Sequence, residues 1–263
     1  MRESCKYTQF LHHIKPMEGP IDARFSFLRF HTLESTNAWA LEHLGELDNL
    51  SVIRADCQTA GRGQRGNRWL SAPGENLTFS VVLRPESLPA RDQMQLTALS
   101  SVALRESLLK ANYPVQIKWP NDIYFRSRKL AGMLIENRLE GDRIAASVIG
   151  IGLNVNQTGF DPTIPNPTSL RLICGGPVGC DHALEGFLGS LASWLPKLGT
   201  DELWNAYTSE LWGLGTRRQW SDCATGKTFF GTITGVLKDG RLRVTMDNGT
   251  ERLFAFKEIG YIL

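Results

Sequence analysis

The amino-acid sequence predicts an α+β protein in two unequal parts, and three observations carry that reading. Between residues 25 and 212, alternating runs interleave with runs whose apolar residues recur at helical spacing. Past Gly213 the texture changes to short alternating runs broken by Lys238-Asp239-Gly240 and Asp247-Asn248-Gly249, which are hairpin sequences. About 50 residues of such runs read as a small β-barrel module over 213–263. A chain of 263 residues is long enough for a medium domain plus a small one.

Residues 1–24 carry little periodicity, and Pro16, Gly19 and Pro20 suggest a loose lead-in. His12-His13 has no further ligand nearby and makes a poor metal cage. The lead-in is too short for the three helices of a helix-turn-helix module, so no sequence-specific DNA binding is expected. Arg24 to Phe30 alternates as a strand. Ser35, Thr36 and Asn37 then precede the apolar-periodic run Ala38 to Leu44 and suit a helix N-cap. Three polar side chains exceed what one cap requires, and a helix N-terminus also offers free N–H groups to a ligand.

Leu50 to Asp56 is a strand that delivers Gln58 and Thr59 into the stretch Gly61 to Trp69. Asn76 to Leu83 is the next strand. Thr97 to Ala111 reads as a helix, begun at Arg91-Asp92 and ended by Tyr113-Pro114. Val115 to Trp119 is a short strand, and Pro120 sets a turn that leaves Asn121 and Asp122 at a strand end. Ile123 to Phe125 resumes a strand, Arg126 to Lys129 is a charged turn, and strands cover 130–136 and 143–155. Pro162, Pro165 and Pro167 mark a long loop, followed by helices over about 181–197 and 200–212. Short strands cover 216–220, 227–237, 241–246 and 250–256.

Hydrophobic content of 42% and charged content of 21% are those of an ordinary globular protein. A net charge of +2 is too weak to indicate a nucleic-acid partner. Cys5, Cys57, Cys174, Cys180 and Cys223 show no C-x-x-C spacing and read as reduced thiols of a cytoplasmic protein. Cys57, next to Gln58, reads as a small buried hydrophobe. No apolar run approaches a membrane span, and the first twenty residues lack a signal-peptide core.

The stretch Gly61 to Trp69 alternates Gly61, Gly63 and Gly66 with Arg62, Arg65 and Arg68. Each glycine costs about 0.5–1 kcal/mol relative to alanine in a regular element, so a loop is favoured. The arginines supply planar, permanently charged forks for phosphate or carboxylate. Two readings stand: an anion cradle, or a solvated basic loop of the kind that touches RNA.

Glu34 to Asn37, Gln58, Gly61 to Trp69, Lys118-Trp119-Pro120-Asn121-Asp122, Lys129-Leu130-Ala131-Gly132 and Gly150 to Asn156 form an ordered set. Together they resemble the biotin protein ligases, or biotin–[acetyl-CoA-carboxylase] ligases, over roughly residues 25 to 263. The resemblance implies a catalytic domain at 25–212 with a mixed β-sheet and flanking helices, and an SH3-like barrel at 213–263. It also implies ATP, biotin and Mg2+, and a biotin carboxyl carrier protein domain as partner. Biotin's carboxylate attacks the α-phosphate of ATP to give biotinyl-5′-AMP, and a carrier lysine then displaces AMP. Monomer and homodimer both remain open.

Under that resemblance Ser35, Thr36, Asn37 and Gln58 supply neutral hydrogen bonds to the ureido ring. Lys118, Lys129 and Arg62 screen the repulsion between carboxylate and phosphate. Asp122 holds the metal, orients the nucleophile or helps deprotonate the incoming lysine. Gly61, Arg62, Gly63, Gln64 and Arg65 form a flap that keeps water from the anhydride. Trp69, Asn121, Gly132 and Asn154 complete the ligand-binding set. Two departures stand out: many family members carry arginine where this chain has Gln64, and arginine is also commoner at Asn67. Trp69 and Trp119 read either as core or as adenine-stacking residues. Gly150 and Gly152 read either as close strand packing or as nucleotide contact. The rival functions are a lipoate–protein ligase, a non-enzymatic biotin-responsive regulator and an RNA-binding module. The last predicts salt-dependent binding with no need of ATP.

Overall fold

The computed structural model of the protein describes residues 24–262, apart from the side chain of Arg65. The lead-in, with Cys5, His12 and His13, lies outside the described residues but for Arg24. A seven-stranded sheet forms first, from β1 (Ser26–Leu33), β2 (Ser51–Gln58), β3 (Leu77–Leu83), β4 (Gln116–Lys118), β5 (Asp122–Phe125), β6 (Arg128–Glu140) and β7 (Arg143–Leu153). Its order is β1-β2-β3-β7-β6-β5-β4. The β1–β2 pair is parallel and the other five pairs are antiparallel, so the sheet is mixed as expected.

Helix α1 (Thr36–Glu42) makes the β1–β2 crossover. It packs Ala40 against Phe30, Ile53, Val82 and Val148 in a small cluster on one face of the sheet. The opposite face carries Phe79, Val81, Ile149 and Ile151 into the main core. There it meets α2 (Met94–Lys110), α4 (Cys180–Trp194) and α5 (Asp201–Ser209). This is the period-two logic of a strand: Ile149, Ile151 and Leu153 of β7 enter the main core, while Val148, Gly150 and Gly152 face α1 and the site.

Several boundaries differ from expectation. Helix α2 begins at Met94 rather than at Arg91-Asp92, which form a separate 3-10 turn (Ala90–Asp92) just before it. The turn before β6 is tighter than the charged run suggested. Arg126 takes a left-handed φ of 54°, which reverses the chain early and leaves Arg128 and Lys129 on the strand. A one-turn helix, α3 (Leu170–Cys174), was not anticipated; Ser169 caps it and Gly175 ends it at φ 82°. Helix α5 stops at Ser209 because the next residues run extended beside β4, where Trp212 donates to the Ile117 carbonyl at 2.7 Å.

The C-terminal strands are β8 (Arg217–Asp222), β9 (Thr228–Val236), β10 (Leu242–Met246), β11 (Glu251–Phe254) and β12 (Ile259–Tyr261). They form an antiparallel sheet in the order β11-β10-β9-β8-β12. β11 and β12 are not paired, so the expected barrel is open at that seam. The chain turns between them through Ala255–Glu258 instead of laddering across. Trp220, Ile233, Leu242 and Val244 are fully buried and belong to the same apolar cluster as the first sheet.

Candidate active site

The register of the sheet assembles the site. One cross-strand row runs Thr78, Gly152, Gly132, Asp122, Lys118 over β3, β7, β6, β5 and β4. Residues in register share a face, so the glycines form a floor with the ionic residues at one end. A side chain at Gly150 would collide with Asn37, and one at Gly152 with the indole of Trp69. These glycines therefore admit side chains from α1 and the loop onto the sheet, rather than allowing closer strand packing.

At one end lies a neutral cluster. Ser35 caps α1, its hydroxyl accepting from the Ala38 N–H at 3.4 Å. Thr36 and Asn37 are buried in the first turn. Gln58 Oε1 accepts from the Thr36 N–H at 2.8 Å and the Thr36 hydroxyl at 3.2 Å. Asn37 Nδ2 donates to the Leu134 carbonyl at 3.1 Å and to Glu136 at 2.9 Å. Ser80 Oγ lies 2.7 Å from Thr36 Oγ1 and 2.6 Å from Asn37 Oδ1, with one proton to share. Ser80 and Glu136 were missed in the sequence. Ser80's signal was a serine inside an otherwise apolar strand core, Phe-Ser-Val-Val.

At the other end Lys129 Nζ pairs with Asp122 at 2.7 Å. A β-bulge makes that pair possible. Asp122 faces Gly132 and Ile123 faces Ala131, but Tyr124 faces Lys129, so Leu130 is skipped. Without the skip Lys129 would share a face with Ala131 and point into the core. Gly132 leaves the space, since a Cβ there would sit 3.1 Å from Lys129 Nζ and 3.2 Å from Asp122 Oδ1. Among the described residues Lys118 has no ion-pair partner. Its ammonium lies over the rings of Tyr124 and Tyr261, 5.1 and 4.3 Å from their centroids. Burial pushes the Lys118 amine down from its ordinary value; Asp122 acts against that shift and Lys129 adds to it.

The glycine-arginine stretch closes on itself as a small hairpin. Arg62 and Arg68 form a bridge, Gly63 donates to the Asn67 carbonyl at 2.7 Å, and Gln64–Gly66 makes a 3-10 turn. Only Gly66 needs a left-handed φ, at 82°. Gly61 is needed for close approach, because a side chain there would strike the Trp69 carbonyl. Arg62 reaches Glu136 at 3.0 Å, tying the hairpin to β6. The Arg65 side chain lies outside the described residues.

Of the remaining residues, Asn121, Asn154 and Trp119 turn to backbone partners away from the floor, whereas Trp69 lies over it. Asn121 is buried and its amide donates to the Met133 carbonyl. Asn154 is buried and donates to the Thr168 carbonyl at 2.9 Å, pinning the proline-rich loop. Trp119 is buried, donates to the Gly240 carbonyl at 3.0 Å and packs edge-on against Phe256, so it is core. Trp69 is half-buried over Gly152 with Lys129 6.0 Å from its ring centroid, and its buried Nε1 has no partner among the described residues. Cys57 is half-buried rather than buried and, like Cys174, Cys180 and Cys223, is a free thiol. No group of three metal-ligating side chains occurs among the described residues, and Asp122 is already engaged by Lys129. Among the described residues the cationic end thus offers one carboxylate, Asp122, and no cage for a resident metal. No described helix is long and apolar enough to cross a membrane.

A neutral cluster and a cationic end on one glycine floor define a ligase domain of the biotin/lipoate class, and comparison with known proteins agrees. Residues 28–154 match the model of the Biotin/lipoate A/B protein ligase family. The chain is 33% identical over 174 residues to the biotin–[acetyl-CoA-carboxylase] ligase of Paracoccus denitrificans, covering 64% of this chain and 72% of that protein. It is 31% identical over 216 residues to the bifunctional ligase/repressor BirA of Bacillus subtilis, covering 78% of this chain and 64% of that relative. The chain thus spans less than two thirds of that relative's length. The fold matches a biotin protein ligase from Aquifex aeolicus in complex with biotin and ATP, at a TM-score of 0.73 and 26% identity, covering 89% and 97% of the two chains. The chain belongs to the biotin protein ligase family.

Proposed function

We propose that the protein activates biotin with ATP to biotinyl-5′-AMP and transfers the biotinyl group to a lysine of a biotin carboxyl carrier protein. The observation that carries this reading is the bulge at Leu130. It turns Lys129 onto the row that already holds Lys118 and Asp122, beside the cluster around Thr36. A carboxylate oxygen must approach the α-phosphorus of ATP as pyrophosphate leaves, and both reactants are anions. Lys118 and Lys129 lower that repulsion where it develops.

Ser35, Thr36, Asn37 and Gln58, joined by Ser80, present donors and acceptors to a neutral ureido ring. A site built from such bonds rejects analogues that lack them. Asp122 orients Lys129 through their ion pair and sits where the carrier amine would enter. That amine's ordinary pKa of about 10.4 leaves little free base at neutral pH, so a carboxylate there aids the second step. Mg2+ would enter with the nucleotide as part of the substrate, and Asp122 is the carboxylate of the cationic end that it would meet. In this reading the Gly61–Trp69 hairpin covers the anhydride, tied down on β6 by the Arg62–Glu136 pair. Asn121, Gly132 and Asn154 hold the strands and loop that border the nucleotide. The reaction we propose is cytoplasmic, a setting that suits the free thiols.

ATP–pyrophosphate exchange tests the reading. Exchange stimulated by biotin, with biotinyl-AMP seen by mass spectrometry, is the expected result. Stimulation by lipoate instead of biotin would move the protein to the lipoate branch.

A further inference from the structure

One cation of the site is held from outside the sheet that carries it. Lys118 ends β4, and the nearer of its two aromatic neighbours, Tyr261, belongs to β12 of the C-terminal sheet. Tyr261 is itself fixed from behind, 4.5 Å from Trp220 and 5.4 Å from Trp212. Trp212 in turn lies 5.6 Å from Tyr124, which forms the other wall around Lys118. The same C-terminal sheet grips the next residue along, through the Trp119–Gly240 hydrogen bond and the Trp119–Phe256 contact. The contact is therefore part of a docked surface centred on β4.

The Tyr261 hydroxyl is buried and has no hydrogen-bond partner among the described residues. Buried tyrosine hydroxyls ordinarily find one. What this residue contributes here is its ring face. We propose that Tyr261 is a positioning residue for Lys118: its ring holds the ammonium over the floor of the site, so the C-terminal sheet completes the cationic end. The proposal rests on the reading of Lys118 as a screening cation in the adenylation step.

The surroundings leave that task to a ring. Asp122 stands beside Lys118 in register, but Lys129 occupies one of its oxygens. Lys129 repels Lys118, and Arg218 stacks on Trp212, its guanidinium 4.0 Å from that ring's centroid. A ring face near a partly desolvated cation favours the bound position by roughly two- to thirtyfold. Removing the ring removes that preference from a lysine that burial already disfavours as a cation.

The test compares Tyr261→Phe and Tyr261→Leu in the full chain, with Tyr261→Met, closer in volume, should the leucine variant unfold. Two readouts are taken. Competitive acetylation across pH, read by mass spectrometry on the Lys118 peptide, reports where that amine loses its proton without reference to activity. Biotin-dependent ATP–pyrophosphate exchange reports kcat and KM. The expected result is that Tyr261→Leu lowers the Lys118 labelling midpoint by about half to one pH unit. It also lowers kcat by about tenfold with KM for biotin unchanged, and Tyr261→Phe restores both. A midpoint that stays put or rises in Tyr261→Leu, or a Tyr261→Phe variant that behaves like the leucine one, overturns the proposal. If the midpoint moves as expected while the unsubstituted protein shows no exchange, the positioning role stands and the biotin-activation reading falls.

Discussion

The two ends of the glycine floor are held together by different physics. The cluster at α1 is built from uncharged side chains, Gln58 bonded to Thr36 and Ser80 to Thr36 and Asn37, with the Glu136 carboxylate bonded to Asn37 at its edge. The end at β4–β6 is ionic, and its geometry comes from a bulge, a missing Cβ and aromatic walls. A neutral network gains selectivity, because each unmatched buried donor or acceptor is costly. Fixed charges gain rate, because they are in place before charge develops. Substitutions at the two ends should therefore fail in different kinetic parameters.

The largest effect is expected at the ionic end. Lys129→Ala should cut adenylate formation by about 10²–10³-fold with little change in KM for biotin, measured by exchange. Near-normal turnover would erase the distinction between the ends. At the neutral end, Ser80→Ala removes the one hydroxyl proton that Asn37 Oδ1 and Thr36 Oγ1 share. Unmade buried hydrogen bonds cost about 1–3 kcal/mol, so KM for biotin should rise roughly tenfold with kcat nearly intact. A fall in kcat alone would place Ser80 with the charges.

Gly150→Ala tests the floor between them. Its methyl group would occupy the space of the Asn37 amide, and overpacking of that kind costs about 1–3 kcal/mol. A lowered melting temperature together with weakened biotin binding is expected; an unaltered variant would mean that α1 does not press on β7 there. The pH profile gives a finer contrast. Exchange that needs the Lys118 cation is lost as pH rises through that group's pKa. Because burial lowers this pKa, the alkaline limb should fall below about 10.4, the value of an ordinary lysine. Lys118→Arg, which keeps its charge, should remove that limb. The smallest effect on exchange is expected for Arg62→Ala, since a half-exposed pair with Glu136 contributes only about 0–1 kcal/mol. Its consequence should appear as adenylate escaping to biotinylate unrelated lysines.

The sheet was legible where one rule decided. Alternation marked β1, an apolar run marked β7, and hairpin turns marked the C-terminal strands. The ordered motifs brought Lys118, Asp122, Lys129, Thr36, Asn37 and Gln58 forward, and the structure sets them on one face. What stayed hidden depended on register and partners. No local pattern shows that Leu130 is skipped, although that skip decides which way Lys129 points. Ser80 reads as a polar interruption until α1 is placed above it. Asn121 and Asn154 look like site residues in sequence, yet their amides turn to the Met133 and Thr168 carbonyls. Trp119 offers no sign in sequence of the Gly240 carbonyl it binds, because that partner lies 121 positions away.

A crystal soaked with biotin and ATP tests the two-ended floor most directly. The account predicts a ureido ring against Thr36, Asn37 and Ser80, and a phosphate within reach of Lys118 and Lys129 above Gly132. The other face of the sheet offers a cavity of about 500 Å³ beside Arg29, Arg54 and Asp181. Ligands found there, with the Gly150–Gly152 floor bare, would contradict it.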